Sequence, residues 1–243
     1  MTTDDVTVII LAGGKGTRLA PYTTVLPKPL MPVGDMPILE IVLHQLKYYG
    51  FRKIAISVGH LAGLIRAFFG DGSNWQMDIR YVVEEKPLGT IGPLRLVGSL
   101  DKPFIVMNGD LLTDINFASL YEYHLQGEQK ATVATTMKNV QVSLGVLDTD
   151  GDRRLIGFRE KPVITYSASM GIYVYDPAIL ERIPPQTYFG FDNLMLDMLA
   201  GGQAVRTYPF DGMWLDIGRP EDYENASEEF RKHRKRFLPH ETA

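Results

Sequence analysis

The chain has 243 residues, enough for one large α/β domain or two small ones with a substantial buried core. Its 25 basic and 29 acidic residues give a formal net charge of −4, so no global attraction to nucleic acid or to an anionic membrane is expected, and any polyanion must be bound locally. There is no cysteine, which excludes a disulfide scaffold and a thiolate zinc site and makes a cytoplasmic location the expectation.

The N-terminal stretch MTTDDVTVIILAGG sets acidic residues ahead of a short apolar run that ends in glycines and charges, so it reads as neither a signal peptide nor a membrane span. The run Val6, Val8, Ile9, Ile10, Leu11 instead predicts a strand covered on both faces. It stops at Ala12, Gly13 and Gly14, where the lack of large side chains lets a ligand approach the backbone and successive N–H groups can cradle phosphate oxygens. Arg18 and Lys28 supply positive charge just beyond, and the prolines on either side of Lys28 stiffen its backbone. Three other readings of the loop compete. A dinucleotide fingerprint needs G-x-G-x-x-G running into a helix, but GGKGTRL runs into Pro21; the P-loop string G-x-x-x-x-G-K-[ST] does not occur; a plain glycine turn is the structural alternative.

Pro37 to Tyr49 has apolar residues at helical spacing and Gly50 as a stop. Strands are then expected at 53–58, 78–83 and 104–107, alternating with helices at 61–69, 90–100 and 117–125, an order that predicts a mostly parallel sheet with helices on both faces. Ligands in such sheets bind beyond the carboxyl ends of the strands, where the glycine loop and Asn108-Gly109-Asp110 both fall. The second half has strand-like runs at 131–136, 145–147, 155–158 and 169–175, read as an antiparallel extension. Pro220 to Phe237 is a predicted helix, with Pro220 at its first position and Glu221 and Asp222 suiting its N-terminal dipole. With no linker, repeat or low-complexity segment, residues 1–243 are expected to form a single continuous domain.

Asp110 ends an apolar strand, where an Asp is commonly a turn former; its functional reading is a hard oxygen ligand for Mg²⁺, with Asp216 in GMWLDIG as the matching second carboxylate. Glu160-Lys161-Pro162 reads either as a solvated turn or as a hydroxyl acceptor beside a phosphate-holding cation. The five histidines show no metal-ligand spacing, and the basic run Arg231 to Arg236 reads as dipole-complementing surface charge.

The strings LAGGKGTRL, LPKPLMPVGDMPILE, GHL with FFGDGS, EEKPLGTIGPL, NGD, FREKP, SMGIYVYDP and MWLDIGRPEDY occur in the order found in sugar-1-phosphate nucleotidyltransferases. The chain resembles that family from about Val6 to Phe230, most closely in its mannose-1-phosphate and heptose-1-phosphate guanylyltransferase branches. The resemblance implies a Rossmann-like nucleotide-diphospho-sugar transferase fold, an NTP and a sugar 1-phosphate as substrates, and Mg²⁺ as cofactor. It implies that Leu11, Ala12 and Gly13 face the base and ribose, that Gly14, Gly16, Thr17 and Arg18 hold the phosphates, and that Glu85 and Gly89 belong to the base-reading segment. Arg18, Lys28, Asp110 and Asp216 would carry the chemistry, with Asp110 and Asp216 as the metal ligands; Glu160, Lys161 and Gly171 would lie on the sugar-phosphate side with Lys28, and Gly145 against the sugar.

Glu85 favours GTP, since its carboxylate could accept from the N1–H and N2 amine of guanine, whereas a thymidylyl branch would carry glutamine; CTP, UTP and dTTP are the alternatives. Ile91 stands where a small residue is expected after Thr90, a change that bears on local helix packing and on the depth of the base pocket. A homo-oligomer is compatible with the sequence, and no hexapeptide repeat for a β-helix is present. A catalytically silent nucleotide-sugar sensor is the reading from another class, but Arg18, Lys28, Asp110, Lys161 and Asp216 all stand as catalysis would require.

Overall fold

The computed structural model describes residues 3–242. Its first half runs β1 (Thr7–Ala12), β2 (Pro32–Val33), β3 (Met36–Pro37), α1 (Ile38–Tyr48), β4 (Lys53–Val58), α2 (Ala62–Phe69), β5 (Asp78–Val83), β6 (Phe104–Asn108), β7 (Leu111–Thr113) and α3 (Phe117–Leu125). The second half adds β8 (Ala131–Gln141), β9 (Val146–Thr149), β10 (Leu155–Arg159), β11 (Val163–Tyr175), α4 (Phe191–Ala200), β12 (Val205–Pro209), β13 (Trp214–Asp216) and α5 (Pro220–Phe237).

A seven-stranded sheet in the order β12-β8-β11-β6-β1-β4-β5 forms the centre. Every neighbouring pair is parallel except the two made by β11, which is therefore the one reversed strand of that sheet. The apolar run of β1 sits in the middle and is buried on both faces. Val8 and Ile10 pack with Leu39 and Val42 of α1, Ile65 of α2 and Leu120 of α3, whereas Ile9 faces the opposite layer with Leu194 and Met198 of α4. A third apolar cluster joins Phe230 and Phe237 of α5 to Leu112, Ile217, Val33 and Ile41.

Two expectations are corrected, and two elements are added. The helix expected at 90–100 is a 3-10 turn, Gly92–Val97, because Gly92 and Pro93 open it, Gly98 at φ +90° ends it, and the N–H groups of Ile91 and Gly92 donate to the carbonyl of Phe189 instead of joining a helical ladder. The antiparallel extension is not beside the main sheet alone: the inner parts of β8 and β11 are built into it, and only their outer parts and the β9–β10 hairpin project. Finally, α4 and the edge strand β12 were not expected from the sequence.

Candidate active site

The carboxyl ends of β1, β4, β5 and β6 open on a cavity of about 840 Å³. Its walls are the loop Leu11–Arg18, the pair Gly59 and His60, the segments Glu84–Pro87 and Gly89–Thr90, the turn Asn108–Asp110, and Lys28, Pro29 and Tyr188. At Gly14 a Cβ would meet nothing within 4 Å, so the loop leaves open space on the cavity side there. Gly16 is held in the left-handed region at φ +62°, and its carbonyl accepts from Thr23 Oγ1 at 2.8 Å, which fixes the loop. No dinucleotide-type helix follows: Thr17–Leu19 is a single 3-10 turn.

Lys28 begins another 3-10 turn behind Pro27, with Leu30 and Met31 N–H groups donating to Pro27 and Lys28 carbonyls at 2.8 and 3.0 Å. This rigid seat leaves the Lys28 side chain only 9 % exposed, and its ammonium donates to Asp110 Oδ2. Asp110 is brought close because Gly109 donates its N–H to the Leu11 carbonyl at 2.9 Å, tying the end of β6 to the end of β1. Asp216 comes from the far end of the sequence: β13 pairs with β7 antiparallel, Asp216 opposite Leu111, and Ile217 N–H donates to the Asp110 carbonyl at 3.2 Å. The Arg18 guanidinium lies against Gly218, where a Cβ would stand 3.5 Å from Nη1.

The electrostatics follow from this crowding. Although Asp216 still reaches solvent, the protein packed around it and then the neighbouring Asp110 carboxylate push its pKa up, while Lys28 and Arg18 pull the other way. Asp110 Oδ1 is buried and, among the described residues, has no hydrogen-bond partner. A buried acceptor beside a second carboxylate of raised proton affinity is an arrangement a divalent cation fits, and Mg²⁺ commonly uses one or two carboxylates of this kind. No larger cluster of His, Asp and Glu suited to a metal occurs among the described residues.

The sugar-side candidates divide. Gly145, Glu160 and Lys161 come together on the projecting hairpin region: a Cβ on Gly145 would lie 3.4 Å from Glu160 Oε2, and Lys161 Nζ is 4.0 Å from Glu160 Oε1. None of them lines the cavity. Gly171, at φ +72° in the irregular stretch of β11 between Ser169 and Tyr173, sits against Asn108, whose Nδ2 would be 2.6 Å from a Cβ there. Ile91 does not alter the pocket: it is fully buried with Leu94 and Val97 in the layer beneath the sheet.

Sequence reasoning passed over Glu84. Its Oε1 accepts from Ser57 Oγ at 2.7 Å and its Oε2 from Leu88 N–H at 3.2 Å, so it braces β4 and the 84–90 segment under Gly13. Its place at the carboxyl end of a sheet strand was the available signal. Tyr188 also lines this cavity; it arrives from a loop tied to 88–92 by Phe189 N–H to the Leu88 carbonyl at 2.9 Å and Phe191 N–H to Thr90 Oγ1 at 2.9 Å.

A doubly covered, mostly parallel sheet with a glycine loop, two cations and two carboxylates at its carboxyl edge places the chain in the doubly wound α/β class. Residues 7–233 match the family model described as nucleotidyl transferase, and the chain belongs to that family. It is 32 % identical over 238 residues to the UTP–glucose-1-phosphate uridylyltransferase of Synechocystis, covering 90 % of this chain and 61 % of that protein. It is 30 % identical over 233 residues to the mannose-1-phosphate guanylyltransferase of Mycobacterium tuberculosis, covering 93 % of this chain and 65 % of that one. The chain thus spans less than two thirds of the length of these relatives. The solved structure of HddC from Yersinia pseudotuberculosis complexed with GMP-PN superposes with a TM-score of 0.71 at 27 % identity, covering 93 % of this chain and 99 % of that one.

Proposed function

We propose that this chain transfers a nucleotidyl group from an NTP, with GTP favoured, to a sugar 1-phosphate, giving an NDP-sugar and pyrophosphate. The observation that carries the reading is the meeting of Arg18, Lys28, Asp110 and Asp216 at the carboxyl edge of the sheet beside the glycine loop. An oxygen of the sugar phosphate attacks the α-phosphorus; the new P–O bond forms in line as the bond to the bridging oxygen breaks, and pyrophosphate leaves with the electron pair. Two anions must approach, so their repulsion has to be offset before bonds change. The backbone N–H groups of Gly14 and Gly16 and the hydroxyl of Thr17 bind the triphosphate, and Arg18 and Lys28 supply positive charge beside it. Lys161 and Glu160 take the phosphate and hydroxyls of the sugar. Asp110 and Asp216 would hold Mg²⁺, which when bound adds positive charge at the reacting phosphate.

The guanine preference draws on Glu85. Both oxygens of Glu84 are engaged by Ser57 and Leu88, which leaves Glu85 as the carboxylate on that wall available to accept from N1–H and the N2 amine. The guanylyltransferase relative and the GMP-PN complex of HddC support the same base. The uridylyltransferase relative favours a second reading, the same reaction with UTP. A panel of GTP, UTP, CTP and dTTP crossed with hexose and heptose 1-phosphates, read by pyrophosphate release with Mg²⁺ present, decides between them. Release with GTP is expected; release confined to another nucleotide rejects the base assignment, and nucleotide binding without turnover across the whole panel rejects the enzyme reading in favour of a sensor.

A further inference from the structure

We propose that Asp114 and Arg236 act as a positioning pair that fixes the separation of Asp110 and Asp216, and thereby the affinity of that carboxylate pair for a divalent cation; the proposal rests on the metal-holding role given to those two residues above. The carboxylates stand at one end of the β7–β13 ribbon, whose strands have only three residues each. A ribbon that short has little stability of its own. Asp114 closes its other end. The Asp114 N–H donates to the Met213 carbonyl at 3.2 Å, and its Oδ1 accepts from Met213 N–H at 2.7 Å. Its Oδ2 accepts from Arg236 Nε at 2.8 Å, and the Asp114 side chain is only 10 % exposed.

The helix that brings Arg236 is shaped for this contact. α5 departs from helical geometry at His233, φ −122°, and its last turn beyond that point carries Arg236 toward β7. Gln45 secures the same turn from the other side: its buried Nε2 donates to the carbonyls of Thr113 at 2.6 Å and Phe237 at 2.8 Å. Asp114 and Arg236 do not line the cavity, so they act through the ribbon and not on the substrate. If the far end of the ribbon frays, Asp216 shifts relative to Asp110, and displacements of about half an ångström already matter to a ligand set.

The test is Mn²⁺ titrated into the 243-residue chain and followed by electron paramagnetic resonance, with Arg236→Leu, Asp114→Asn and Arg236→Lys compared against Asp110→Asn. Arg236→Leu should weaken Mn²⁺ binding roughly tenfold, as loss of outer-shell partners commonly does. Asp114→Asn keeps the acceptor for Met213 N–H and removes only the ion pair, so it reports even if Arg236→Leu folds poorly; an intermediate weakening at an unchanged melting temperature is expected. Arg236→Lys should recover part of the affinity. Wild-type Mn²⁺ affinity in well-folded Arg236→Leu and Asp114→Asn, with binding lost in Asp110→Asn, overturns this proposal alone. Undiminished binding in Asp110→Asn overturns the metal reading and this proposal together.

Discussion

Asp110 has one oxygen on the Lys28 ammonium and the other buried with no partner among the described residues, so its two acceptors serve different ends. Asp110→Asn keeps an acceptor for Lys28 while removing the negative charge that a cation would neutralise. Turnover in that variant should fall on the order of a thousandfold or more, with the melting temperature as a check that folding survives. Near-normal turnover would reject the role. At this scale the sequence was most legible where residues act in contiguous strings: the glycine loop, Lys28 between prolines, and Asn108-Gly109-Asp110 all line the cavity as expected. Glu84 was not legible because its significance lies in contacts to Ser57 and to the Leu88 N–H, which periodicity does not encode. The basic run also hid a difference: Arg234 pairs with Asp35 and Glu241, and Arg236 with Asp114, so two of its arginines are anchors and not simply solvated charge.

Among the elements, the 3-10 turn after the base-side segment shows how a backbone detail redirects a side chain. Because Ile91 and Gly92 donate to Phe189, the Ile91 side chain points into the core and away from the cavity. Ile91→Ala should therefore cost about 3 kcal/mol in stability by leaving a void, while leaving the ranking of nucleotides in the turnover panel unchanged. Urea unfolding and the panel together check this, and a changed base preference would contradict it. Long, strongly patterned elements were legible: β4, β5, α3 and α5 fall at their expected bounds. The ribbon strands β7 and β13 are too short to show a period, and their pairing is a tertiary choice that no local pattern announces. α4 was missed although Leu194 and Met198, four apart, form its buried face.

For the whole molecule, stability is coupled to acid through His124. It lies almost fully buried against Thr132, with Nδ1 2.9 Å from Thr132 Oγ1, and Lys130 and Asp176 facing it. Burial lowers its pKa from 6.5 to about 4, so the folded chain keeps this ring neutral while the unfolded chain protonates it earlier. The associated stability is fully present above pH 6.5 and is lost as the pH falls toward 4, by about 2 kcal/mol between pH 7 and pH 5. Urea midpoints at the two pH values should show that loss in the wild type and a smaller one in His124→Gln. An equally steep loss in the variant would assign acid sensitivity elsewhere.

The short ribbon beneath the candidate site has a consequence for how the protein comes into being. Asp114 and Met213 are 99 positions apart, and β12 precedes β13 in the chain. A nascent chain can display its glycine loop and Lys28 early, yet the second carboxylate joins the first only after most of the polypeptide has left the ribosome. The carboxylate pair of the candidate site is therefore completed late in synthesis, after the glycine loop and Lys28 that it faces.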